Sequence, residues 1–197
     1  MNVFVVYCHP SSESFTYKVK EQFVKGLEAA GHSYEISDLY KMNFNPVFSE
    51  QEYLREAFYK LEAQIPDDVK IEQSKVNNAD AIVFIYPDFW TDAPAMLGGW
   101  FQRVWTYGYA YGDAPTMKKL EKALFLVTMG GKLSDKKRQI QVEAMKTVMI
   151  GDRIADRAKE TEMIVFDEMT RGYGNDGHRD ENEVVFLKKA YELGLNM

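Results

Sequence analysis

Two short stretches, NVFVVYC at residues 2–8 and AIVFIYP at 81–87, run apolar through consecutive positions instead of alternating with polar ones. A strand of that kind is buried on both faces, as in a parallel sheet covered by helices on each side. KALFLVT (122–128) and MIVFDEMT (163–170) complete the set, while HSYEISDLY (32–40) alternates Tyr34 and Ile36 with polar neighbours and reads as a half-exposed edge strand. Helical spacing fills the intervals: Val19, Phe23, Leu27 and Ala30 before the glycine of AAGH, Ile140, Ala144 and Val148 after the fourth strand, and Val184, Leu187, Tyr191 and Leu195 at the end. A further helix is predicted over 49–65. Ser49 and Glu52 have capping-box spacing, and Leu54, Phe58, Leu61 and Ile65 share one face before Pro66 stops it.

Strands alternating with helices over this length predict an α/β fold, an open, doubly wound, five-stranded parallel sheet with helices on both faces and the flavodoxin-like order 2-1-3-4-5. The 197 residues, 46% of them hydrophobic, suit one domain spanning 1–197. A net charge of −6 with no Lys/Arg block argues against nucleic acid as a partner. The opening MNVFVVYCHP lacks a charged leader region, Cys8 has no disulfide partner, and no apolar run approaches the roughly 20 residues of a membrane span. The expectation is a soluble, reduced, cytoplasmic protein without membrane insertion. His32 and His178 read as surface residues, and no histidine, cysteine or carboxylate spacing calls for a metal.

In doubly wound sheets, ligands bind beyond the carboxyl ends of the strands where strand order reverses, so three turns carry the functional signal. After strand one, CHPSSESFTYK offers Ser11, Ser12, Ser14 and Thr16 where a helix begins, a setting equally suited to an N-cap and to a phosphate cradle. No G-x-G-x-x-G or G-K-[ST] is present, against a Rossmann dinucleotide site or a nucleotide triphosphatase. After strand three, YPDFWTDAP places Tyr86, Phe89 and Trp90 among stiffening prolines, a slot for a planar conjugated ring. After strand four, VTMGGKLS brings Gly130 and Gly131, whose bare backbone allows close approach and whose amides would stabilise charge on the pyrimidine end of a reduced flavin.

SDLYKMNFNPVFS (37–49), YPDFWTDAPAMLGGWFQRVW (86–105), YAYG (109–112) and TMGG (128–131) together resemble the NAD(P)H:quinone oxidoreductase family of flavoproteins, the DT-diaphorase type, over residues 2–131. The resemblance implies a homodimeric oxidoreductase that holds FAD or FMN and passes hydride from NAD(P)H to a quinone or similar electrophile by a ping-pong mechanism. It implies that His9, Ser14, Phe15 and Thr16 meet the flavin phosphates, that Pro87, Asp88, Phe89 and Trp90 run along the ring, and that Thr128, Met129, Gly130 and Gly131 face its other polar edge. Trp90, Gly130 and Gly131 would then act at the reacting centre, together with Tyr111, which in the family enters the partner subunit's site. The aromatic-rich stretch 100–111 suits a dimer interface.

The chain also departs from the pattern. Animal-type quinone reductases carry a tyrosine and a histidine shortly after the diglycine, where this chain has KLSDKKRQIQ. Lys132 and Lys136 are available cations there, although KLSDKK reads more simply as a solvated helix start. Asp92 adds a negative charge where relatives have a small or apolar residue. The alternatives are a flavodoxin-type electron carrier and a flavin-retaining regulatory subunit of a membrane transporter. A response-regulator receiver is disfavoured, because CHPSS replaces the acidic residues that would hold its magnesium.

Overall fold

The computed structural model describes residues 1–172 and 176–197. Among them, five parallel strands form one sheet: β1 (Asn2–Tyr7), β2 (Ser33–Asp38), β3 (Ala81–Pro87), β4 (Leu120–Thr128) and β5 (Ala158–Phe166). Their order is β2-β1-β3-β4-β5, the flavodoxin-like arrangement that the alternation of strands and helices predicts. The connecting helices are α1 (Phe15–Ala29), α2 (Glu50–Ala57), α3 (Asp67–Asn78), α4 (Ala95–Val104), α5 (Lys136–Lys146), which continues into a π-helical stretch (Thr147–Ile154), and α6 (Asp176–Leu195).

Side-chain alternation divides the core into two layers. Val3, Val5, Val83, Ile85 and Leu124 face α1 and α6, whereas Phe4, Val6, Phe84, Phe125 and Val127 face α3, α4 and α5. Each fully buried side chain of this size contributes about 1.5–3 kcal/mol, so the continuous apolar runs are stable only with helices on both sides. Phe84 and Phe125 stack across β3 and β4 with ring centroids 5.0 Å apart. On the other face α1 and α6 meet through glycines: a Cβ on Gly26 would stand 2.1 Å from the Tyr191 carbonyl oxygen, and one on Gly194 would stand 2.1 Å from that of Phe23. No helix among the described residues is long and apolar enough to cross a membrane.

Four expectations from sequence need correction. The fifth strand occupies 158–166, not 163–170, so Asp167–Thr170 lie beyond its end. The helix at Ser49 has its capping box, with Ser49 and Glu52 bonded reciprocally, but ends at Ala57; Phe58 and Leu61 are exposed instead of forming a buried face. On α5, Ile140 and the following Val148 point outward, and Val142, Met145 and Met149 pack inward. Two stripes were open to that helix, and the flexible methionines fill the irregular space beside β4. On α6, Val184 and Leu195 are exposed and the inward face carries Ala190 and Gly194, because helices this close require small residues at the crossing.

Candidate functional site

The carboxyl ends of β1, β3 and β4 open onto a cleft with two lobes. The first, about 330 Å³, gathers His9, Ser14, Phe15, Thr16, Pro87, Asp88, Phe89, Thr128, Met129 and Gly130 from the three predicted turns, together with Met169 and Thr170 from beyond β5. The second, about 580 Å³, is lined by Trp90, Thr91, Gly131, Lys137, Arg138 and Gln141, and shares Asp88, Gly130 and Thr170 with the first.

The first lobe is built around the start of α1. Ser14 caps the helix, its hydroxyl accepting from the Tyr17 amide at 3.0 Å, while the first-turn amides of Phe15 and Thr16 find no acceptor among the described residues. Those amides and the positive end of the helix dipole favour an anionic group. Thr16 and Thr128 join their buried hydroxyls at 2.7 Å, which ties α1 to the end of β4. The His9 Nδ1 accepts from the Ser11 amide at 2.9 Å, and burial lowers the imidazole's pKa below its usual value. Burial thus favours the neutral imidazole, whose Nδ1 also lies 3.1 Å from the Ser11 carbonyl oxygen; in the tautomer that accepts from the Ser11 amide, Nε2 carries the proton and is a donor in this lobe.

A strained hairpin forms one wall of the second lobe. Phe89 and Asp92 exchange backbone hydrogen bonds of 2.9 and 3.2 Å, and the residues between them, Trp90 and Thr91, have φ of 57° and 69°. A tight type I′ turn requires that geometry, usually supplied by glycine or asparagine, and for a β-branched threonine it is an outlier. The Asp88 carboxylate accepts from the Thr91 amide at 2.8 Å and stands in for a turn residue. Burial raises the Asp88 pKa, a tendency opposed by that amide and by the charge of Arg138. Trp90 is left 99% exposed, an apolar surface with nothing packed on it.

Gly130 and Gly131 supply space. A Cβ on Gly130 would meet Thr170 Oγ1 at 2.1 Å, and one on Gly131 would meet Arg138 Nε at 2.3 Å. Neither glycine has a positive φ, so close approach accounts for them and a glycine-only dihedral does not. Neither amide donates to an acceptor among the described residues. Free backbone donors, bare glycines and a helix N-terminus together match a flat, polar-edged ring bearing a phosphate tail, as FAD and FMN do.

Tyr86 is a strand residue, fully buried in the core, and lines neither lobe. Asp92 closes the hairpin, its Oδ1 accepting from the Ala93 amide, and contributes to neither lobe. Lys132 pairs with Glu168 at 3.2 Å, while Asp135 caps α5 just before Lys136. Tyr111 lies apart: its hydroxyl donates to Glu56 at 2.8 Å, beside Tyr107. In the 100–111 stretch, Trp100, Phe101, Val104 and Tyr109 are core residues, not surface ones. Exposed apolar side chains sit nearby on Tyr53, Phe58, Tyr59 and Leu61. Burial pushes the Cys8 thiol up to about 12, so it stays protonated.

Residues 1–152 match the model of a family described as having a flavodoxin-like fold. An NAD(P)H:quinone oxidoreductase from Methanothermobacter marburgensis superposes with a TM-score of 0.91 at 41% identity, covering 100% of this chain and 96% of that one. NAD(P)H dehydrogenase (quinone) 1 of Rattus norvegicus is 35% identical over 145 residues, 64% of this chain and 53% of the relative. The chain spans about half the length of the curated relatives it matches first. An FMN-dependent NADH-azoreductase from Bacillus anthracis, solved in complex with FMN, shares the fold at a TM-score of 0.68 and 12% identity, over 98% of this chain and 99% of that one.

Proposed function

We propose, since the chain belongs to the flavodoxin-like NAD(P)H:quinone oxidoreductase family, that it is a flavin-dependent enzyme carrying hydride from NAD(P)H to a quinone or similar electrophile. One observation carries the reading: turns about 40 to 120 residues apart in sequence converge on a two-lobed cleft with a phosphate-type cradle at one end and bare glycine backbone at the other. When bound, a flavin supplies the relay: NAD(P)H gives up hydride and leaves as NAD(P)⁺, and a quinone takes hydride plus one solvent proton and leaves as the hydroquinone.

The chain's own residues bind and orient. The Phe15 and Thr16 amides and the His9 ring hold the phosphate end in the first lobe, with Ser14 capping the helix beside them while its hydroxyl donates to the Ser11 carbonyl. Pro87, Asp88, Phe89 and Trp90 flank the ring, and Thr128, Met129, Gly130 and Gly131 face its polar edge with backbone donors. Among the described residues one lobe adjoins Trp90, and its use by nicotinamide and acceptor in turn, each beside the bound ring, fits ping-pong kinetics. A homodimer would cover the exposed apolar side chains around Tyr59 and bring Tyr111 to the neighbouring cleft.

Steady-state oxidation of NADH and NADPH against a quinone panel tests this. Quinone-dependent turnover by the flavin-loaded protein supports the enzyme. Bound flavin with no turnover for any acceptor would overturn it in favour of an electron carrier or a flavin-retaining regulatory subunit.

A further inference from the structure

We propose that Arg138 is the cation that holds the negative charge a bound flavin gains on reduction, an inference that rests on the functional reading above. The two lobes differ in the chemistry they offer. The first presents a helix N-terminus and His9 to a phosphate, which leaves for the ring the junction at Asp88 and Gly130 and the second lobe beyond it, between the Trp90 hairpin and Gly131. A two-electron acceptor that receives hydride alone becomes more negative by one charge, so a fixed cation in that lobe favours the reduced form over the oxidised one.

Arg138 is the basic side chain best placed to do so. Its side chain lies over Gly131, close enough that a Cβ there would stand 2.3 Å from Nε and 2.9 Å from Cζ. Its NH1 donates to Gln141 Oε1 at 2.6 Å, and Nε and NH2 have no acceptor among the described residues. No carboxylate lies within ion-pair distance of it there, whereas Lys132 is paired with Glu168 and Lys136 lines neither lobe. Lys137 lines the lobe, but its side chain is exposed and its charge correspondingly screened. Among the described residues Asp88 is the carboxylate that lines the lobe with Arg138; it feels the Arg138 charge but forms no ion pair with it, and accepts instead from the Thr91 amide. A planar guanidinium with free donors suits a carbonyl-and-nitrogen edge better than an ammonium does.

The test compares full-length wild type, Arg138→Gln and Arg138→Lys, each loaded with whichever of FMN or FAD the protein takes up. Dissociation constants for oxidised and reduced flavin are measured together with the midpoint potential. Arg138→Gln is expected to weaken binding of the reduced form about tenfold relative to the oxidised form, which lowers the midpoint by ~30 mV for a two-electron couple. Arg138→Lys, which keeps the charge, is expected to recover most of that shift. If the ratio in Arg138→Gln stays within twofold of wild type, the inference is wrong, and a rise in KM for NADPH alone would instead assign Arg138 to the co-substrate's phosphate. Wild-type protein that takes up no flavin overturns the functional reading itself and this inference with it, so the two failures are distinguishable.

Discussion

At the scale of single residues, strain and emptiness mark the site. Thr91 holds a left-handed conformation that costs on the order of 1–3 kcal/mol and is stabilised by the Asp88 carboxylate beneath it. Thr91→Gly relieves the strain while losing some chain entropy, so we expect unfolding by urea to show a net gain of up to about 1 kcal/mol; a loss of stability would mean that the turn is relaxed. Gly131→Val behaves differently. The new side chain meets the movable end of Arg138, not backbone, so the fold should persist while flavin affinity falls at least tenfold, about 1.4 kcal/mol, measured by fluorescence titration. Trp90→Ala should weaken flavin by roughly 1–3 kcal/mol if the ring packs on it, with little effect on stability, because the side chain makes no core contact.

At the scale of elements, buried ion pairs hold the crossover helices in place. Arg103 on α4 is 4% exposed and donates to Glu52 on α2 at 2.7 Å and to Asp68 on α3 at 2.6 Å. Burial works against ionisation of Glu52, but hydrogen bonds from Ser49 and Arg103 outweigh it and hold the carboxyl below its usual range. The hydrogen bond from Arg103 lowers Asp68 directly. Folded pKa values below the unfolded ones give stability that is full above about pH 4 and is lost as pH falls through the folded values. Arg103→Met should therefore cost about 3 kcal/mol at pH 7, and the difference from wild type should shrink on acidification below about pH 4. Equal destabilisation at pH 3 and pH 7 would show that the loss comes from packing alone. The same scale explains what sequence could not reveal. Continuous apolar runs and caps are local, so β1, β3 and the Ser49 capping box were readable. Met169 and Thr170 were hidden because no glycine or proline marks the end of β5 after the apolar run MIVF, so the end of the strand has no local signal. Arg138 was hidden because which residues of KKRQ turn inward depends on how α5 docks, a tertiary choice that also reversed its apolar face.

At the scale of the whole molecule, the sheet places His9, Asp88, Thr128 and Gly131 at one edge because β1, β3 and β4 are adjacent and parallel, so the turns following them emerge on the same side. The aromatics of 53–61 are exposed beside Tyr107 and Tyr111, where the proposed homodimer would cover them. Sedimentation should give about twice the 22.8 kDa chain mass at micromolar concentration, and Leu61→Lys should shift the balance toward monomer. A wild-type monomer with full turnover would remove Tyr111 from the neighbouring cleft. Flavin in the two-lobed cleft is read from the visible spectrum of the protein after incubation with FMN or FAD and desalting. Flavin bands at close to one flavin per chain, bleached anaerobically by NADH or NADPH, are expected; a colourless protein with no micromolar affinity for either flavin would rule out a flavin site.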